Sequence, residues 1–170
     1  MFEVKQADRS NFNELSMDSF DRFQRVRNVY RMENGQLVLK RHPFTETWSS
    51  ERKREKAAEI LSGGFVTFCA FDGEKVVGEI MLVPELNENR LMIDSFHVSR
   101  EYRRHGIGRR LMDAACYYAQ SSGAKALYAS CCPAEETICF YRAMGFAPSK
   151  HPIPSCVADE PFDIQMEREL

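Results

Sequence analysis

The sequence predicts an α/β fold built on a mixed sheet. Three observations lead there. Strand-like and helix-like segments alternate along the chain. Two turn dipeptides, Asn34-Gly35 and Asp72-Gly73, each join a pair of strand-like runs. Late in the chain, two amphipathic stretches flank the short apolar run "KALYAS".

The elements follow in order. "MFEVKQA" alternates as a short strand. "DRSNFNELSMDSF" reads as a helix with Phe12, Leu15 and Phe20 on one face. Asn34-Gly35 then predicts a hairpin of Val26–Met32 and Gln36–Arg41. "SSERKREKAAEILSGG" is a helix, capped by Ser49 or Ser50 and stopped at Gly63-Gly64. "FVTFCAF", "KVVGEIMLV" and "NRLMIDSFHV" are three successive strands. "GIGRRLMDAACYYAQSSG" repeats apolar residues at helical spacing and ends at Gly123. "PAEETICFYRAMGF" is a second such helix, with Pro133 near its start and Glu135 and Glu136 in its first turn. "PFDIQMEREL" closes the chain as a half-buried strand, with Phe162, Ile164 and Met166 inward.

Composition narrows the function. The 170 residues suit a single domain, 1–170, with the hairpin at 26–48 as an insertion. A chain of this length buries about 70% of its unfolded surface and needs no covalent staples. The net charge of -2 argues against a generally basic nucleic-acid binder. The longest apolar run, "FVTFCAF", is too short to span a membrane. Six cysteines without a C-x-x-C pair, behind a polar N-terminus with no secretory leader, are expected as free thiols in the cytoplasm.

Against that balance, "REYRRHGIGRRL" concentrates five arginines and a histidine around two glycines at the start of a helix. Unpaired amides and the helix dipole attract anions there. Glycine lets the backbone come close to a ligand. The implied ligand is a phosphate or pyrophosphate; the alternative is a solvated basic turn. Leu111 stands where a dinucleotide fingerprint needs its third glycine, and no P-loop is present. A nucleic-acid patch would want interleaved aromatics, which are missing.

"R-R-H-G-I-G" between a strand and an amphipathic helix, followed some thirty residues on by "ICFYRAMGF", resembles the paired motifs of the GNAT N-acetyltransferase superfamily. The resemblance is clear from Phe65 to Phe146 and extends to the closing strand. It implies a mostly antiparallel central sheet flanked by helices, with one splayed pair of parallel strands. It also implies acetyl-CoA as cosubstrate. The backbone from Arg104 through His105, Gly106, Ile107 and Gly108 to Arg109 would hold the pyrophosphate, with Arg103 opening the motif. Phe96, His97 and Val98 would line the pantetheine gap between "SFHV" and "LYAS". Phe96 and Val98 offer main-chain groups, and one of these would polarise the thioester carbonyl.

Tyr141 matches the family tyrosine near the sulfur and would protonate the departing thiolate. An amine of pKa near 10.4 must lose a proton before it attacks. Asp94, whose parity matches Phe96 and Val98, is the candidate base, acting through water or by attracting the ammonium; Glu79 is the alternative. Direct attack in a ternary complex is expected. The rival mechanism, a Cys131 or Cys132 acyl-enzyme, lacks a Cys-His arrangement. The family often has an asparagine where Ala134 stands here.

The acceptor is a small-molecule or peptide amine. Tyr30, Phe44 and Trp48 of the insertion would shape its pocket, with Glu33 or Glu46 attracting a cation; the alternative is a hairpin that extends or pairs the sheet. The resemblance admits a homodimer. A non-catalytic acyl-CoA sensor would keep the arginine-glycine loop and lack acceptor chemistry.

Overall fold

The computed structural model describes residues 1–170. Its elements are β1 (Glu3–Gln6), β2 (Gln24–Glu33), β3 (Gln36–Glu46), α1 (Ser50–Leu61), β4 (Val66–Asp72), β5 (Lys75–Asn87), β6 (Arg90–Val98), α2 (Ile107–Ser121), β7 (Ala126–Cys131), α3 (Glu135–Ala143), β8 (Ala147–Pro148), α4 (Pro154–Asp159) and β9 (Ile164–Glu169). One sheet runs β1-β4-β5-β6-β7-β9-β8, and β2 and β3 form a separate ribbon. Every neighbouring pair is antiparallel except β6 and β7. The expected mixed sheet with one parallel pair is therefore present.

Local chemistry explains most boundaries. Asn34 and Gly35 both take positive φ, 50° and 77°, as a tight hairpin turn of this kind requires. The Ser49 side chain caps α1 by accepting the Arg52 amide at 3.1 Å. α2 lies close on β5 because Gly78 has no side chain: a Cβ there would stand 2.9 Å from Leu111 Cδ1 and 3.0 Å from Ile107 Cγ2.

The sheet has a core on each face. Ile80, Leu82 and Ile93 pack with Ile107, Leu111 and Ile138 in one cluster. Met81, Cys69 and Phe71 pack with Ala57, Ile60 and Phe20 in the other.

Two expectations fail. Residues 8–20 form successive turns, not a helix. Asp8, Asn11, Asn13 and Ser16 spend their side chains on nearby backbone groups, which offers the chain an alternative to the helical ladder. Phe12, Met17 and Phe20 are buried there, while Leu15 is exposed. At the other end, Phe162 lies outside β9 and is exposed; its face meets the Arg31 guanidinium at 5.3 Å.

The β2–β3 hairpin docks on the start of α3. The Tyr30 amide donates to the Pro133 carbonyl at 2.8 Å, and Asn28 Nδ2 donates to Glu135 Oε2 at 2.9 Å. Val26, Val29 and Phe44 pack against Ala134 and Cys132. Just before β2, the Asp21 amide donates to Ser99 Oγ and its carbonyl accepts from the Arg100 amide. The N-terminal segment is thus pinned to the end of β6.

Candidate functional site

The loop between β6 and α2 is built by backbone conformation. Arg104 and Gly106 take φ of 65° and 80°. None of the six amides from Arg104 to Arg109 donates to another protein atom; the first helical bond of α2 is Arg110 N–H to the Gly106 carbonyl, 3.1 Å. No side chain caps this helix and no acidic residue lies in its first turn. Six consecutive free donors at a helix N-terminus make a cradle for a phosphate group.

The arginines divide into two sets. Arg100 lies over the Phe23 ring, Arg103 Nε donates to the Val98 carbonyl at 3.0 Å, and Arg110 holds the Phe2 carbonyl at 2.6 Å. Arg104 and Arg109 are exposed and make no hydrogen bond or ion pair within the chain, as is also true of His105. The glycines also differ. At Gly106 a Cβ would meet nothing within 4 Å, so its φ is what requires glycine. At Gly108 a Cβ would come within 3.1 Å of the Phe140 ring, so that position is fixed by packing. The Ile107 side chain is buried in the core, leaving its amide as its contribution to the loop.

β6 and β7 part where expected. Their pairing runs from Arg90↔Ala126 to Ile93↔Ala129 and stops. Beyond it, β6 remains bonded to β5 alone. The Ser99 amide donates to Val77, so the main chain of residues 97 and 99 is turned to β5 and that of 96 and 98 to the gap; His97, expected to line the gap, instead has its backbone on β5 and its ring on Glu79. Arg103 occupies the Val98 carbonyl. The Phe96 amide and carbonyl and the Val98 amide are thereby left toward the opening.

Tyr141 sits beneath that opening, with Phe96, Phe140 and Phe146 edge-on to its ring. It is 7% exposed. Burial pushes its hydroxyl pKa well up, and the Cys131 thiol and Glu79 carboxylate add to this. Its hydroxyl therefore holds its proton. Burial likewise raises Cys131 well above an ordinary thiol and raises Cys132. Neither cysteine is a ready nucleophile.

The other face of the same strands carries a polar chain. Glu79, fully buried, accepts from Ser95 Oγ at 3.1 Å and lies 2.6 Å from His97 Nδ1. Buried Lys56 donates to Ser95 Oγ at 3.2 Å and pairs with Glu59 at 2.7 Å. Trp48, at the end of the hairpin segment, meets the His97 ring edge-on at 4.8 Å.

Asp94 sits in a bulge. Met81 pairs with Ser95 and Leu82 with Ile93, so Asp94 has no partner and the alternation that would align it with Phe96 and Val98 is broken. Its surface is accessible, yet desolvation raises its pKa; Lys56 opposes the rise, while Glu59, Glu79 and Glu160 add to it. Asp163, near Ser130 at the end of β7, is raised to about 7, first by desolvation and then by Glu160.

The fold thus brings together the loop, the gap and Tyr141, and sets Glu79 and Asp94 behind them. Lys56 and Ser95 were not foreseen. One signal for Lys56 existed: it shares the buried face of α1 with Ala57 and Ile60. The signal for Glu79 was a lone charge inside an apolar strand.

Comparison with known proteins agrees with this geometry. The sequence model described as "Acetyltransferase (GNAT) family" matches residues 23–146. A sequence search of curated proteins returned no match. Among solved structures, a nourseothricin acetyltransferase superposes with a TM-score of 0.74 at 19% identity, covering 99% of this chain and 98% of its own. A protein described as a streptothricin acetyltransferase, from Bacillus anthracis str. Ames and bound to acetyl coenzyme A, gives 0.73 at 14% identity, covering 100% and 99%. An aminoglycoside 6'-N-acetyltransferase complexed with coenzyme A gives 0.55 at 18%, covering 69% and 79%.

Proposed function

Because the chain belongs to the acetyltransferase (GNAT) family, with acetyl-CoA as cosubstrate, we propose that it acetylates a primary amine by direct attack within a ternary complex, residues 1–170 acting as a single domain. The observation that carries this reading is the row of six unpaired amides, Arg104 to Arg109, at the mouth of a gap that ends at Tyr141.

Acetyl-CoA supplies an activated thioester. The amides of Arg104, His105, Gly106, Ile107, Gly108 and Arg109 hold its pyrophosphate, with Arg104 and Arg109 adding charge. The free main-chain groups of Phe96 and Val98 orient the pantetheine arm. Tyr141 donates a hydrogen bond to the sulfur as charge develops. Its raised pKa makes full transfer to a thiolate of pKa about 8.5 uphill, so the bond comes first and the proton follows. Asp94 attracts the ammonium of the acceptor. Most of the acceleration comes from holding amine and thioester together.

Trp48 beside His97 and the packing of the hairpin on α3 support a role for the 26–48 segment in bordering the acceptor. The fold neighbours named for nourseothricin, streptothricin and an aminoglycoside act on small amine-bearing molecules. Glu160 raises the pKa of both Asp94 and Asp163, and Glu46 adds to the rise at Asp163; this acidic group suits an acceptor with more than one ammonium group. No helix is long and apolar enough to cross a membrane. Six free cysteines suit the reducing cytoplasm.

Thermal unfolding tests the reading. Acetyl-CoA at about 100 times its Kd stabilises by about 2.7 kcal/mol, on the order of 5–10 °C for this size. Coenzyme A release with primary amines should follow. A clear shift without release from any amine would favour the acyl-CoA sensor instead.

A further inference from the structure

Glu79 has no reason to be where it is on fold grounds. It interrupts the apolar run of β5, and none of its surface reaches solvent. An isolated buried carboxylate costs several kcal/mol, and a well-packed apolar residue would serve the core as well. Its two partners are Ser95 Oγ, at 3.1 Å, and His97 Nδ1, at 2.6 Å. With Glu79 as a carboxylate, which has no proton to give, the short contact places one on Nδ1. In the neutral ring, Nε2 is then an unprotonated acceptor. The chain runs from Glu59, 37% exposed, through buried Lys56, Ser95 and buried Glu79 to His97, whose side chain is 21% exposed and lies against Trp48. An imidazole held by a fully buried carboxylate and partly exposed on the strand that lines the gap has the arrangement of an oriented base.

We propose that His97, held with its proton on Nδ1 by Glu79, accepts through Nε2 the proton of the acceptor ammonium. This rests on the acetyl-transfer reading above and assigns Glu79 as a positioning residue. The ammonium N–H bond breaks and an Nε2–H bond forms, leaving an imidazolium faced by the Glu79 carboxylate. The freed nitrogen lone pair forms the amide bond as the C–S bond breaks. The thiolate takes the Tyr141 proton, and the second amine proton replaces it on Tyr141. The His97 proton passes to water as the one proton released per turnover. The groups around the ring are Glu79 of β5, Asp94 and Ser95 of β6, Lys56 and Glu59 of α1, and Tyr141 of α3 through Glu79.

Two measurements test this. Nitrogen-15 spectra of the histidine rings need no substrate. The expected result is the Nδ1–H tautomer for His97, converting to Nε2–H in Glu79→Met while His42, His105 and His151 are unchanged. An Nε2–H tautomer in the unsubstituted protein overturns the proposal. The second follows coenzyme A release from acetyl-CoA with nourseothricin, an aminoglycoside and spermidine across pH. His97→Gln should lower kcat/KM about 100-fold near neutral pH, with the deficit closing as pH approaches the amine pKa of about 10.4 and acetyl-CoA affinity unchanged. An equal deficit at every pH overturns this proposal alone. Silence of the unsubstituted protein with every amine, while acetyl-CoA still raises its melting temperature, overturns the acetyl-transfer reading and this proposal together.

Discussion

The proposed cofactor loop, after β6, and the proposed acceptor face, on β5 and β6, are made of different chemistry. From Arg104 to Arg109, the loop offers main-chain amides, set by two positive-φ residues and a helix start that are contiguous in sequence. The acceptor face offers side chains: Glu79 from β5, Ser95 and His97 from β6, Lys56 from α1 and Trp48 before it. A backbone site is sensitive to conformation and tolerant of residue type. A side-chain site is the reverse. The two regions should therefore fail in different ways when substituted.

The largest expected effect is in the loop. Gly106→Val leaves the fold almost intact, because a Cβ there meets nothing within 4 Å, but it strains the left-handed turn by about 1–2 kcal/mol. Acetyl-CoA affinity should fall by about 100-fold or more by calorimetry, while Arg104→Ala costs only several-fold. A larger loss for Arg104→Ala would break the contrast between backbone and side-chain sites.

Tyr141→Phe removes a hydroxyl from a buried aromatic cluster and should lower kcat by about 10–100-fold with cofactor affinity unchanged. Asp94→Asn should raise KM for the amine about tenfold, the loss of one charge-assisted contact of about 1.4 kcal/mol, with kcat little altered. Since burial raises the Asp94 pKa, the ionised form is the strained one, and the substitution should raise stability most at neutral pH and above.

The smallest effect is on Asp163. Its folded pKa of about 7 exceeds the unfolded value of about 3.9, so the folded state binds the extra proton between them. Stability should decline as pH rises through that window and level off above it. Asp163→Asn should flatten the decline by a few degrees of melting temperature, measured at several pH values.

The same contrast explains what could be read from the sequence. The hairpin at Asn34-Gly35, the paired GNAT motifs and the parting of β6 from β7 depend on local residues, and all are found. Residues 8–20 misled because helical spacing of Phe12 and Phe20 coexists with Asx-type bonds that favour turns. Asp94 was assigned by alternation, and a bulge, which leaves no mark in a single sequence, reset it. The proposed acceptor face joins residues from 48 to 97 through tertiary packing, so only its oddest member, a glutamate in an apolar strand, stood out. Short β8 and α4 carry too little pattern to be predicted.

Amide hydrogen exchange with and without acetyl-CoA tests the central claim most directly. In the free protein, the six amides from Arg104 to Arg109 should exchange fast, since none is bonded within the chain. Saturating acetyl-CoA should protect them as a block, ahead of any other segment of α2. Protection that falls elsewhere while these six stay fast would show that the loop does not hold the cosubstrate, and the account of the site would fail at its base.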